Sequence, residues 1–353
     1  MLRPRPTIEH MHGYTPGEQP PAGVPIIKLN TNENPFPPSP RVMEVLRSFD
    51  PENLRRYPNA TADAFRDAAA ARHGLTRDHV IAGNGSDEIL SMVLRTYLGP
   101  GDTIAWPDPT YSLYPVLAEI ADTRGVGVPW EAGWRLPTAA LLATGARAIF
   151  FANPNAPSGT LVPEAEIRTL AQNFDGLVLV DEAYVDFAET DCVGLLADCA
   201  NVVISRTLSK GYALCGIRLG YALAAPEIIA QLMKVKDSYN CNALAIPAGV
   251  AALADRAYAE QGWNTVRRER TRVAAELARR GFTVIPSHAN FLFASVPGGN
   301  ALALYRGLKA RGILVRFFDK PGQSDKLRIS IGRPDENDAV LAALAALAAP
   351  GSS

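Results

Sequence analysis

Residues 202–220 read VVISRTLSKGYALCGIRLG. A short apolar run of strand type passes into small and apolar residues that hold Lys210 and Arg218. From Asn201 to Ala225 there are three cations, Arg206, Lys210 and Arg218, and no acid. That is not the make-up of a solvated charged face. A lysine kept from acids and near other cations is expected to have a lowered pKa and to be nucleophilic as the free amine. Imine chemistry requires such an amine. Arg218 could bind a phosphate bidentately, and the hydroxyls of Thr207 and Ser209 could reach the same anion. A lysine snorkelling to the surface beside two unrelated arginines would read the same way, so the stretch has to be judged by its surroundings.

Upstream, "TIAW" (103–106), "AIFFA" (148–152) and "LVLV" (177–180) repeat the short, continuous apolar run of "VVIS" (202–205). Such runs fit strands of a mostly parallel sheet covered on both faces, with helical segments between them. The fold class is therefore α/β. Asn153 and Asn155 follow "AIFFA", Asp181 follows "LVLV", and Lys210 lies just beyond "VVISRT". Ligands of open α/β sheets bind outside the carboxyl ends of the strands, so three strands deliver polar groups to one edge.

The first ~35 residues, ending in "NTNENPFPPSP", read as an irregular arm because proline and asparagine break regular elements. After about residue 240 come a helix around "NALAIPAGVAALAD" and a long charged one, "WNTVRRERTRVAAELARRG", capped by Gly281. "FTVIP", "NFLFASV", "GILVRFF" and "LRISIG" follow as strands of a smaller C-terminal α/β domain, with an Ala/Leu-rich helix at the end. The expected division is an arm over 1–35 joining the small domain, a large domain over 36–245 and the small domain over 246–353.

Composition is that of a soluble globular protein, 353 residues with 47% hydrophobic and 20% charged. A net charge of -1 gives no reason to expect nucleic acid or an anionic membrane as partner. The four cysteines show no metal spacing and no disulfide framework, and no metal is expected. The N-terminus lacks the apolar core of a signal peptide, and no apolar run approaches the roughly 18 residues of a membrane span. A cytoplasmic location is the default.

Two further motifs carry chemistry. In "AGNGSDE" the glycines permit a tight turn, and the N–H groups of Gly85, Ser86 and Asp87 open a helix where an anion is favoured. An ordinary glycine turn with a Ser/Asp cap would look alike. In "LVLVDEAYVDFA" Asp181 ends a buried strand, with Tyr184 three residues on. Its carboxylate needs a partner: a protonated pyridine nitrogen, a basic side chain or a metal.

Taken in order and spacing, "YTPG", "KLNTNENPFPPSP", "RRYPNA", "GNGSDE", "PTYSLY", "NPNAPSGTL", "VDEAYVDFA", "SRTLSKGYALCGIRLGY", "ANFLF", "GILVRFF" and "LRISIG" resemble the fold-type-I aminotransferases that use pyridoxal 5'-phosphate. Within them the chain looks most like the histidinol-phosphate aminotransferases, over nearly its whole length. The resemblance implies a large domain with a mostly parallel central sheet, a smaller α/β domain, and a homodimer with shared active sites. It implies that Lys210 forms the Schiff base with the cofactor and later moves the substrate proton, while Asp181 holds the pyridinium. Tyr184 would bond the cofactor's phenolic oxygen and Tyr111 would stack on the ring. Gly85, Ser86, Asp87, Thr207, Ser209 and Arg218 would surround the phosphate, and Tyr57 would reach in from the other subunit.

The family pattern N-P-N-N-P-[ST]-G reads "NPNAPSG" here, with Ala156 where an asparagine touches the phenolic oxygen. Either Asn155 takes over that contact or Tyr184 carries it alone; Asn155 is the expectation. The implied reaction is transamination between histidinol phosphate and 2-oxoglutarate, giving imidazole acetol phosphate and glutamate in histidine biosynthesis. Tyr14, Asn32, Tyr57, Arg316 and Arg328 are the expected substrate contacts, with Arg316 and Arg328 clamping the dianion. An aromatic amino-acid aminotransferase, or a threonine-phosphate decarboxylase type of lyase, would share most of these motifs.

Overall fold

The structure is a computed structural model that describes residues 2–20 and 23–348; residues 1, 21–22 and 349–353 of the expected outer segments lie outside the described residues. The strands Ala148–Ala152, Leu177–Asp181 and Val202–Thr207 are buried along their whole length. Their alternation sends Ile149, Phe151, Val178, Val180, Val202 and Ile204 into one apolar cluster. Ala148, Phe150, Leu177, Leu179 and Val203 enter another. A sheet apolar on both faces has to be covered on both, which is why these runs do not alternate polar with apolar.

The three strands are the centre of a seven-stranded sheet in the order 80–83, 220–224, 202–207, 177–181, 148–152, 103–108, 124–129. Neighbours pair in parallel except at Gly220–Ala224, which runs antiparallel to both of its neighbours. Sequence reading missed that strand and Arg124–Pro129. "GYALA" and "RGVGVP" are poor in β-branched residues, and the sheet, not local preference, makes them extended.

A four-stranded antiparallel sheet follows, Arg316–Phe317, Lys326–Ser330, Phe291–Ser295 and Thr283–Val284 in that spatial order. The long helix Arg256–Arg279 ends as expected at Gly281, whose φ of 82° takes the chain out of the helix. The arm is less irregular than expected. It holds a five-residue helix, Pro6–His10, and a strand, Ile27–Lys28, that pairs in parallel with Ile313–Leu314. No helix among the described residues is long and apolar enough to cross a membrane.

The segment after Arg218 is anchored by close packing. Leu219 is fully buried against the helix Ala245–Ala254, where a Cβ on Gly249 would lie 2.3 Å from Leu219 Cδ2 and 2.8 Å from the Phe65 ring. Neither side chain has room to retreat. Gly249→Ala should therefore cost about 1–3 kcal/mol of stability through overpacking, read from the urea midpoint.

Candidate active site

Because the three central strands are parallel, their carboxyl ends share one edge of the sheet. The register sets Ala152 opposite Asp181 and Asp181 opposite Ser205. A cavity of about 560 Å³ opens there, lined by Asp181, Tyr184, Lys210 and Arg218 on the sheet side and by Arg316 and Arg328 from the C-terminal sheet.

The Lys210 Nζ donates to the carbonyl of Thr31 at 2.8 Å. Burial lowers its pKa to about 8, and the Arg328 charge adds to the effect, while Cys215, Glu33 and Asp87 oppose it. The cations adjacent in sequence are not the cause, which corrects the expectation. Arg206 faces away to an ion pair with the buried Glu182 at 2.7 Å and with Asp191 at 2.9 Å. Arg218 pairs with Asp87 at 3.6 Å. Desolvation leads, and the cation that helps comes from a strand far along the chain.

Asp181 is 3% exposed and has no cationic partner among the described residues. It accepts from the Tyr114 hydroxyl at 3.1 Å and from the Ala183 N–H at 3.2 Å. Burial, with the Asp87 charge, pushes its pKa up to about 7. A buried carboxyl so placed suits a protonated ring nitrogen, whose charge would offset the desolvation. Ser205 beside it has a buried hydroxyl with no partner. No group of three His, Cys, Asp or Glu among the described residues could hold a metal.

Next to the carboxylate lies an anion cradle. Arg218 donates to Ser209 Oγ at 3.4 Å, Thr207 Oγ1 bonds Ser209 Oγ at 2.9 Å, and Ser86 begins the helix Ser86–Tyr97. Gly85 has φ 85°, and a Cβ there would meet Arg218 Nη2 at 2.6 Å, so glycine is what lets the guanidinium lie against the turn. This donor set, a helix N-terminus with two hydroxyls and an arginine, fits a phosphate. Asp87 accepts from the Tyr111 hydroxyl at 3.3 Å, which holds that ring at the cavity wall.

At the other end Arg328 lies over the Phe291 and Phe318 rings, at 5.2 and 5.5 Å, and donates to the Asn30 carbonyl at 3.0 Å. Its Nε is buried without a partner. Arg316 donates to the carbonyls of Pro16 and Thr15 at 3.2 and 3.3 Å. Neither arginine has an acidic partner among the described residues. Tyr14 and Asn32 line the same cavity.

Three expected residues do not line this cavity: Gly85, which lies against Arg218 in the turn, and Asn155 and Tyr57. Asn155 does not line the cavity; its amide donates to Ser158 Oγ at 2.8 Å and to the Pro109 carbonyl at 3.2 Å, while Ala156 faces the cavity instead. The expected contact from Asn155 to a phenolic oxygen is therefore corrected: its amide is spent on the loop that carries Tyr111. Tyr57 does not line this chain's cavity; it is 80% exposed and stacks on Tyr239 at 4.3 Å. Sequence reading missed Tyr114, although "PTYSLY" places it three residues after Tyr111, in the first turn of the helix Leu113–Ile120. It also missed Asn34, whose amide donates to the carbonyls of Lys210 and Gly211, both at 2.9 Å. No local signal separates Asn34 from other loop asparagines.

Comparison with known proteins gives a consistent result. The family model for aminotransferase class I and II matches residues 24–344. The chain is 44% identical over 340 residues to histidinol-phosphate aminotransferase 1 of Trichormus variabilis, covering 96% of this chain and 97% of that protein. It is 45% identical over 341 residues to the histidinol-phosphate aminotransferase of Syntrophotalea carbinolica, covering 97% and 98%. The fold superposes with a TM-score of 0.89 on the crystal structure of histidinol-phosphate aminotransferase from Sinorhizobium meliloti in complex with pyridoxal-5'-phosphate, at 26% identity and 99% coverage of both chains.

The Asp181 geometry has a thermodynamic consequence in the ligand-free protein. Its folded pKa of about 7 lies above the ordinary 3.8, so the folded state holds a proton that the unfolded chain releases. Stability contributed by this group is complete below about pH 4 and is lost as pH rises to about 7. Asp181→Asn should be more stable than the parent at pH 8, with the difference shrinking toward pH 5, by urea unfolding without ligand.

Proposed function

This chain belongs to the aminotransferase class I and II family, and from that premise we propose that it transfers the amino group of L-histidinol phosphate to 2-oxoglutarate on pyridoxal 5'-phosphate. The products are imidazole acetol phosphate and glutamate, a step of histidine biosynthesis. The observation that carries the reading is one cavity with two ends: a desolvated amine beside an unpaired buried carboxyl, and opposite them two arginines without acids. When bound, the cofactor supplies an electron sink for the pair left behind as the substrate carbon loses its proton.

The chain's own residues do the rest. Asp181 balances the charge on the ring nitrogen. Arg218, Ser209, Thr207, Ser86 and the turn at Gly85 and Asp87 hold the cofactor phosphate, and Tyr111 covers the ring. With a pKa of about 8, Lys210 Nζ is partly unprotonated near neutrality, so it can accept the proton that the substrate carbon loses. Arg316 and Arg328 take the substrate phosphate, and Tyr14 adds a hydroxyl. Arg328 takes a carboxylate when glutamate or 2-oxoglutarate occupies the site. The Phe291 and Phe318 rings cover part of the half-buried Arg328, and this partial shielding strengthens its hold on an anion.

The working unit is a homodimer. Tyr57 and Tyr239 form an exposed aromatic pair, and an exposed apolar patch of this kind suits a partner surface. Through it Tyr57 reaches the partner's cavity. The arm of residues 1–35, a cofactor-binding domain over 36–245 and a small domain over 246–353 make up each protomer. Small charged substrates and a biosynthetic role suit the cytoplasm.

A second reading has its own support. Tyr14, Tyr111 and Phe318 line the cavity with Arg328, a surface that would take an aromatic amino acid by ring and carboxylate. Spectral titration of the cofactor-loaded protein without keto acid separates the two. Loss of the visible band at low histidinol phosphate but only at high phenylalanine is expected; the reverse order makes this an aromatic aminotransferase. Lys210→Ala should abolish turnover with the fold intact by circular dichroism. Arg316→Ala should lower kcat/KM for histidinol phosphate by roughly 10- to 100-fold, the worth of a charged hydrogen bond, and for phenylalanine by only a few-fold. Equal losses would remove Arg316 from the phosphate site.

A further inference from the structure

Tyr184 is 8% exposed and lines the cavity within reach of Ala156, so no side-chain amide at that position shares its task. Its hydroxyl oxygen accepts from Asn32 Nδ2 at 3.0 Å. Its own hydrogen has no acceptor among the described residues. Which way that hydrogen points is decided by Asn32.

Asn32 is 1% exposed and held on every side. Its Oδ1 accepts from Ser330 Oγ at 2.9 Å, its N–H donates back to Ser330 Oγ at 3.0 Å, and its carbonyl accepts from Asn290 Nδ2 at 3.0 Å. Its φ of 56° lies in the left-handed region, which asparagine tolerates better than other side chains. The amide orientation follows from donor counting. Turned over, it would offer nitrogen to Ser330, whose hydroxyl hydrogen would then have no acceptor although Ser330 is 2% exposed. The amide therefore faces Tyr184 with its N–H, and the Tyr184 oxygen can only accept from it. The tyrosine hydrogen is left for the cavity.

We propose that Asn32, oriented by Ser330 and Asn290, is a positioning residue that turns the Tyr184 O–H toward the cofactor's phenolic oxygen. The inference rests on the cofactor reading above. It reassigns Asn32, expected from sequence as a substrate contact, to the cofactor side of the site.

A donor on the phenolic oxygen draws electron density from it and lowers the pH at which the visible band of the loaded protein changes form. Tyr184→Phe removes the donor. Asn32→Gly removes the orienting amide without backbone strain, since glycine accepts the positive φ. Both should raise the spectral midpoint, Asn32→Gly by about half a unit to one unit, and the double variant should rise no further than Tyr184→Phe alone. Should Asn32→Gly not fold, Ser330→Ala frees the amide to turn over and must raise the midpoint in the same direction. A midpoint unchanged in Asn32→Gly while Tyr184→Phe moves it overturns the inference, as do fully additive shifts, because a merely structural Asn32 would act apart from Tyr184. A parent protein that takes up no cofactor, with no visible band, overturns the cofactor reading and this inference together; the preceding outcomes overturn the inference alone.

Discussion

The parallel register of Leu177–Asp181 between Ala148–Ala152 and Val202–Thr207 is the constraint on which the site depends. Each of these strands is buried on both faces, so its alternate side chains enter two separate apolar clusters. A slip of one residue would exchange those sets and carry the terminal carboxylate of Asp181 to the opposite face. Packing of hydrocarbon thus fixes the address of a charge. Asp181, 3% exposed at the cavity wall, is largely desolvated there, and the raised pKa and the need for a cationic partner both follow from that address.

Charge is then sorted by elements that sequence order does not bring together. Arg206 and Lys210 are four residues apart, yet Arg206 points back to Glu182 and Asp191 and ties the segment after the strand to its neighbour. Glu182 and Asp191 bracket Tyr184, so this buried ion pair holds the loop that presents the tyrosine. A buried ion pair is weak support for stability, because desolvation consumes much of its attraction. Its value here is geometric. Arg206 is thus engaged by two carboxylates, and it is burial, with Arg328 adding and Cys215, Glu33 and Asp87 opposing, that sets the Lys210 pKa.

The fold was legible where sequence pattern and tertiary demand agree. "AIFFA", "LVLV" and "VVIS" are strands because an apolar run too short for a helix can be satisfied only in a covered sheet. The antiparallel strand Gly220–Ala224 was not legible, since its extended form comes from two neighbours and not from its own residues. The convergence of Asp181, Lys210 and Arg218 on one cavity was legible, because each is a polar group against an apolar background. The site was not legible at Asn155, because whether an amide one position off can take over a contact depends on the local path of the backbone. There the Pro109 carbonyl claims it. Tyr114 was hidden for the opposite reason: it is a fully buried aromatic whose hydroxyl alone distinguishes it from ordinary core.

In the proposed substrate site, Arg316 is what links the arm to specificity. Its guanidinium is engaged by two peptide carbonyls, of Thr15 and Pro16, next to Tyr14 at the cavity wall. The cationic donor makes those bonds charge-assisted already, but a carbonyl brings only a partial charge, whereas a phosphate dianion adds full ion-pair attraction and a second oxygen for the guanidinium fork. A dianionic phosphate can therefore draw Arg316 from the arm, whereas a ligand without a second anion gains too little to do so. The arm's carbonyls thus act as a weak reference against which Arg316 measures its ligand. On this reading, discrimination between histidinol phosphate and an aromatic amino acid resides less in the shape of the cavity than in that exchange of acceptors.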